Sequence, residues 1–201
     1  NRLFLSIDWA PSDEVITDEI GVINNSDYHI QTHLIGEYNF ENVLAAVCVG
    51  YNFGISAADI KRAIEDYKPE NSRSQLIKTH KGNIVLADDY NANPSSMEAA
   101  LNNFAKIELP NKILMLGDML ELGEATTREH AVIVGLIEKL GFKKVYLVGR
   151  NYGNIKDAHR YNCFYDVEEL AKHLETQNIT NASVLVKGSH GMHMEKVIPI
   201  L

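Results

Sequence analysis

Cysteine is scarce in this chain of 201 residues: only Cys48 and Cys163 occur, without the spacing of a metal or redox pair. That rules against a disulfide framework and favours a reducing compartment, with both thiols as small buried apolar groups. Long apolar runs are missing as well. No segment approaches the ~18 residues of a membrane span, and no charged-then-apolar leader precedes a small-residue cleavage site, so a soluble, cytoplasmic chain with no membrane partner is expected. Positive charge is in deficit, with 19 Lys and Arg against 27 Asp and Glu for a formal charge of -8. A nucleic-acid partner would require a concentrated basic face, which this balance disfavours. Neither a G-x-x-x-x-G-K-[ST] loop nor a G-x-G-x-x-G fingerprint is present, so any nucleotide must be held by other means. No repeat of fixed period and no low-complexity tract interrupts the pattern.

What is present falls into two differently patterned parts. From Asn1 to about Ile35, short apolar runs broken by Pro11, Gly21 and Asn24-Asn25 read as strands joined by turns. Phe40, Val43, Leu44 and Val47 then follow the i, i+3, i+4, i+7 spacing of a packed helix that Gly54 ends. A second helix starts at Ser56 with Asp59 and buries Ile60, Ala63, Ile64 and Tyr67. The polar stretch "YKPENSRSQ", Tyr67 to Gln75, is the expected boundary, dividing the chain into domains 1–69 and 70–201.

Beyond that boundary, "QLIKTH" and "NIVLADD" flank Lys81-Gly82 as a hairpin, and strands alternate with helices thereafter. The spacing predicts strands Ile84–Asp88, Ile113–Gly117, Val145–Gly149, one at Cys163, and Val184–Lys187. Helices are expected over Ser95–Ile107, Thr127–Leu140, near Ile155, over Val167–Gln177 and at the end. Near-continuous apolar strands require a sheet covered on both faces, so the fold class is α/β, a doubly wound, Rossmann-like and mostly parallel sheet.

Ligands of such sheets sit beyond the carboxyl ends of the strands, and several of these ends are polar here. They are Asp88-Asp89, Gly117-Asp118, Gly149-Arg150 and Lys187-Gly188-Ser189. Pro94 suits a first helical turn and Ser95 with Glu98 suits a capping box, which leaves the two aspartates, Asn91 and Asn93 without a full local explanation. A carboxylate at such a corner can accept both hydroxyls of a ribose, and amides can serve a base or a carboxylate ligand. Asn39 and Asn42, neighbours on a helix, could read an adenine edge or face water. Arg73 could pair bidentately with phosphate, and Lys187 offers a second cation. His130 is a general base, a ligand clamp or a satisfied helix-end histidine. His190 and His193 form an H-x-x-H pair without a third ligand, so no metal site is expected.

Read together, "GEYNFENVLAA" (36–46), Arg73, "ADDYNANPSSMEAAL" (87–101), "LGDMLELGEATTREH" (116–130) and "VLVKGSHGMHMEKVI" (184–198) resemble the Mur ligase family over nearly the whole chain. The resemblance is to its branch that adds D-alanyl-D-alanine. It implies the tail of a central ATPase domain followed by a complete C-terminal domain. It also implies a cytoplasmic enzyme of peptidoglycan synthesis, expected to be monomeric, that uses ATP and magnesium to turn the carboxylate of UDP-N-acetylmuramoyl-tripeptide into an acyl phosphate. The amine of D-alanyl-D-alanine then attacks.

By that likeness Asn39 and Asn42 lie at the adenine, Arg73 contacts phosphate, and Asp88 or Asp89 holds the ribose. Lys187 joins Arg73 as a catalytic cation, while Asn91, Asn93, Asp118, Glu121, His130 and Ser189 border the substrate pocket. Tyr38 departs from the histidine common in the family. The family's P-loop, carbamylated lysine and magnesium ligands are expected upstream of Asn1, so the 201 residues alone are not expected to ligate. Rival readings are a folylpolyglutamate synthase or another Mur ligase, a non-catalytic interaction module, and a receiver domain using Asp88-Asp89, Asp118 and Lys187. The order of strands opposes the receiver.

Overall fold

The computed structural model describes residues 6–9, 28–35, 39–69 and 75–201. Pro11, Gly21, Asn24-Asn25, Tyr38 and Arg73 lie outside the described residues, as does the middle of the polar stretch that contains Arg73. The chain divides into two compact units, 1–68 and 69–201.

In the first unit, β1 (Ser6–Trp9) pairs antiparallel with β2 (Tyr28–Gln31), Ser6 opposite Gln31. The helices are α1 (Phe40–Asn52) and α2 (Ala57–Asp66). Ser56 caps α2 by accepting the Asp59 N–H at 3.2 Å, which supplies a partner for one of the amides that a helix start leaves unpaired. Ile30, Val43, Val47 and Ile60 form the buried cluster. The expected apolar stripes are only half used, since Phe40, Leu44 and Tyr67 are exposed and so is Ala63. Periodicity identifies one helix face but does not supply a cover for all of it. Cys48 is also exposed, against expectation, because it falls on the outer side of α1.

The second unit is a six-stranded sheet in the order β3-β4-β8-β5-β6-β7. Its strands are β3 (Gln75–Lys78), β4 (Ile84–Asp88), β5 (Lys112–Gly117), β6 (Lys144–Val148), β7 (Asn162–Phe164) and β8 (Ser183–Lys187). Only the β3–β4 pair is antiparallel, a hairpin whose turn has Gly82 at φ +76°, a conformation that favours glycine. The connecting helices are α3 (Pro94–Lys106), α4 (Thr126–Lys139), the short α5 (Arg150–Gly153) and α6 (Val167–Glu175).

From β4 the chain steps through β5, β6 and β7 in one direction, then returns through α6 to place β8 between β4 and β5. Right-handed crossovers of opposite direction put their helices on opposite faces. On the α6 face, Val85, Ile113, Met115, Val148, Val184 and Val186 pack with Leu170, Leu174 and Val197. The alternate strand residues Leu86, Leu114, Leu116, Leu147 and Leu185, also buried, point by the two-residue period to the α3–α4 face. Both faces are thus covered, which is why these strands read as unbroken apolar runs.

Two local expectations are corrected. The cap of α3 is Asn93, not Ser95 with Glu98: Pro94 fixes the first helical position, so Asn93 accepts the Ser96 N–H at 2.9 Å while Ser96 Oγ accepts the Asn93 N–H at 3.1 Å. The expected final helix is two 3-10 stretches, His190–Met192 and Met194–Ile200, separated by His193 in a left-handed conformation, with Pro199 inside the second. Near Ile155 the expected helix resolves into α5 and a 3-10 segment, Lys156–Arg160.

Candidate functional site

The carboxyl ends of β4, β8, β5 and β6 lie side by side, which brings together segments far apart in sequence. Register puts Asp88 opposite Lys187 on neighbouring parallel strands. Their side chains therefore share a face, and Lys187 Nζ lies 2.7 Å from Asp88 Oδ2. Lys187 also donates to the Asp88 carbonyl at 3.3 Å and to the Asn91 carbonyl at 3.0 Å. An ammonium has three donors, and all three are used on this corner. With 1% of its surface exposed, Lys187 fixes the "DDYNAN" turn.

Asp89 is 2% exposed, whereas Asn91, next along the turn but one, is exposed. Asn93 is exposed too, although its side-chain oxygen is occupied in capping α3. The end of β5 is fixed in the same manner. Asp118, 3% exposed, accepts the N–H of Asn151 at 2.9 Å and of Tyr152 at 3.0 Å, so its carboxylate organises the turn after β6 instead of facing open solvent. This closeness depends on Gly149, whose φ of +123° is poorly tolerated by other residues and whose missing Cβ would overlap the Asp118 carboxylate.

His130, the fifth residue of α4, is fully buried. Its Nδ1 donates to the Thr126 carbonyl at 2.7 Å and its Nε2 accepts the Met119 N–H at 3.1 Å, the pattern of the Nδ1–H tautomer. Both nitrogens being engaged, it holds the "LGDMLELG" loop from below. Tyr152 packs edge-on against that imidazole with centroids 4.7 Å apart. Burial, and next the Asp118 carboxylate, push the Tyr152 phenol well above its ordinary range. Ser189 grips the loop from the other side, donating to the Ala92 carbonyl and accepting the Leu120 N–H at 2.9 Å. The residues this frame presents outward are Leu120 and Glu121, the latter at φ +64°.

In the first unit, Asn39 is buried, donating to the Ile35 carbonyl at 2.9 Å and accepting from Asn42 Nδ2 at 3.0 Å. Asn42 is exposed. The pair is thus one fixed and one accessible amide.

A family model described as the Mur ligase, glutamate ligase domain, matches residues 72–190. The chain belongs to the Mur ligase family. This Mur ligase chain is 30% identical over 173 residues to the UDP-N-acetylmuramoyl-tripeptide--D-alanyl-D-alanine ligase of Bacillus subtilis, an alignment that takes in 82% of the chain and 38% of the relative. It is 33% identical over 175 residues to the Escherichia coli enzyme of the same name, covering 84% of the chain and 38% of the relative. The chain thus spans about two fifths of the length of the curated relatives it matches, 38% to 39% in the first two. A crystal structure of MurF from Acinetobacter baumannii aligns with a TM-score of 0.76 at 25% identity, over 87% of this chain and 40% of that one. A Thermotoga maritima MurF ligase in complex with ADP shares the fold, with a TM-score of 0.69 at 20% identity over 88% of this chain and 40% of that one.

Among the described residues of the Mur ligase chain, no group of three His, Cys, Asp or Glu is arranged to hold a metal ion, and no helix is long and apolar enough to cross a membrane. A magnesium ion held here would therefore draw on fewer than three of these side chains, with phosphate oxygens and water completing its shell. The amide of Asn42 and the carboxylates of the Asp88-Asp89 corner have the chemistry for a base and a ribose. In sequence Arg150 is a polar strand end; the fold gives it a further neighbour. It is exposed, and its guanidinium lies 4.7 Å from the Tyr165 ring centroid. Pairing of β6 with β7, Val148 opposite Phe164, creates that meeting.

Proposed function

We propose that the chain forms part of an ATP-dependent ligase that joins D-alanyl-D-alanine to UDP-N-acetylmuramoyl-tripeptide in peptidoglycan synthesis. The observation that carries this reading is the convergence of the "DDYNANP" corner and the "LGDMLELG" loop at one sheet edge, in a chain whose relatives bear that enzyme's name. ATP supplies the phosphoryl group that makes the tripeptide carboxylate reactive as an acyl phosphate. Nucleophilic attack by the dipeptide amine then forms the amide, with phosphate leaving and the amine losing a proton.

In this reading the chain's own residues orient and exclude water. Asp88-Asp89 and Asn91 present the ribose-facing and substrate-facing groups of one corner, and Asn39 holds Asn42 for the adenine. Asn93, Asp118, His130, Lys187 and Ser189 act as positioning residues: Asn93 caps the helix that follows its turn, and the others bond the backbone of the turns that carry Asn91, Glu121 and Arg150. Arg73 keeps its proposed phosphate contact, and the ATP-bound state is cytoplasmic and monomeric. Positioning matters because small misplacement of reacting groups lowers rates steeply.

The test is single-turnover assay of the full-length protein with ATP, magnesium, the tripeptide nucleotide and D-alanyl-D-alanine. ADP formation and a product heavier by one dipeptide residue pair are expected only when all components are present. Equal product with glutamate in place of the dipeptide would reassign the enzyme to another branch of the family.

A further inference from the structure

Two cavities open at the carboxyl edge of the sheet, of about 380 Å³ and 490 Å³, and both are lined by Gly149, Arg150 and Tyr165. The smaller is also walled by Leu120 from the "LGDMLELG" loop and by Asp166 and Glu168 from the start of α6. Among the described residues, Arg150 is the one Lys or Arg lining either cavity. No carboxylate among the described residues pairs with it, whereas Arg62, Arg128 and Arg160 each have an acidic partner.

The geometry points to Arg150 as the residue that binds the terminal carboxylate of the incoming dipeptide, a role that rests on the ligase reading above. A guanidinium with one face against an aromatic ring keeps its in-plane N–H donors available, and two of them match the two oxygens of a carboxylate. The backbone beneath it is fixed, since Asp118 holds the N–H groups of the two residues that follow Arg150. The surroundings select further. Asp166, whose side chain also caps α6, and Glu168, which is paired with Lys196, line the rest of the smaller cavity, so a zwitterion is accepted with its ammonium near Asp166 and its carboxylate at Arg150. A free dipeptide is such a zwitterion; its C-terminal amide lacks the group that Arg150 would read.

The experiment measures steady-state ligation by the full-length protein with D-alanyl-D-alanine and with D-alanyl-D-alaninamide, for wild type, Arg150→Gln, Arg150→Lys and Tyr165→Ala. Loss of a charge-assisted pair is expected to raise the dipeptide KM about 10- to 100-fold in Arg150→Gln. The KM values for ATP and for the tripeptide nucleotide stay within about twofold of wild type, because uniform binding of one substrate alone has been removed. Wild type prefers the acid over the amide, Arg150→Gln does not, and Arg150→Lys regains part of the preference. Tyr165→Ala, which leaves the charge but frees the guanidinium to move, raises the dipeptide KM by a smaller factor. An unchanged dipeptide KM in Arg150→Gln, or an acid preference that survives the substitution, overturns the assignment while leaving the ligase reading intact. Failure of wild type to use D-alanyl-D-alanine at all overturns both.

Discussion

At the amino end of the six-stranded sheet, Asn83 is fully buried, donates to the Ile179 carbonyl at 2.9 Å and accepts the Ala182 N–H at 2.9 Å, while Thr79 Oγ1 donates to the Leu201 carbonyl at 3.0 Å. At the carboxyl end, Lys187, Asp118, His130 and Ser189 are equally buried and equally bonded to backbone. The two ends are alike in satisfying polar groups inside the protein. They differ in what stands beyond those groups. The amino-end groups tie Leu201 and the 179–182 segment to the hairpin. The carboxyl-end groups hold turns from which Asn91, Glu121 and Arg150 reach outward. Buried polarity therefore does not mark a functional end by itself; an exposed polar residue carried on a buried polar frame does.

Substitutions can break that comparison. Gly149→Ala is expected to cost the most, about 4 kcal/mol by urea denaturation, because it combines a left-handed backbone with overlap on a buried carboxylate. A loss below about 1 kcal/mol would mean that the Asp118 frame is soft. Lys187→Met is expected to cost about 3 kcal/mol, since it leaves the Asp88 carboxylate and two carbonyls without their cation. Its ligation rate should fall further than its stability explains, as the corner loses its anchor.

Asn83→Ala probes the opposite end and is expected to cost about 2 kcal/mol, from the unpaired Ala182 N–H and the carbonyls it leaves. Dipeptide KM should not move in this variant; a shift would show that the two ends are coupled. Arg150→Gln is expected to change stability by less than about 0.5 kcal/mol, because the side chain is exposed and has no acidic partner among the described residues. Thermal melting distinguishes this from a structural role.

Much of the sheet was legible in the sequence because β4, β5, β6 and β8 are covered on both faces and so read as apolar blocks. The Asp88-Asp89 and Gly117-Asp118 strand ends followed from the same blocks. Asn93 was harder, for the Ser95–Glu98 pattern competes with it and only the fixed φ of Pro94 decides which residue is the cap. Lys187 looked like a free cation at a strand end. Its engagement depends on the insertion of β8 beside β4, a long-range event that no local spacing encodes. Arg150 was hidden for a similar reason, since Tyr165 reaches it only through the pairing of β6 with β7.

The central position of β8 also orders events during synthesis. A ribosome releases β4 through β7 before it releases the strand that bridges β4 to β5, so the nascent polypeptide holds two unjoined half-sheets with bare edges. Asp88 waits 99 residues for Lys187, and closing so long a loop is entropically slow. The unit should consequently gain protease resistance in one late step, when the 183–187 segment emerges, and nascent chains stopped short of it should be captured by chaperones.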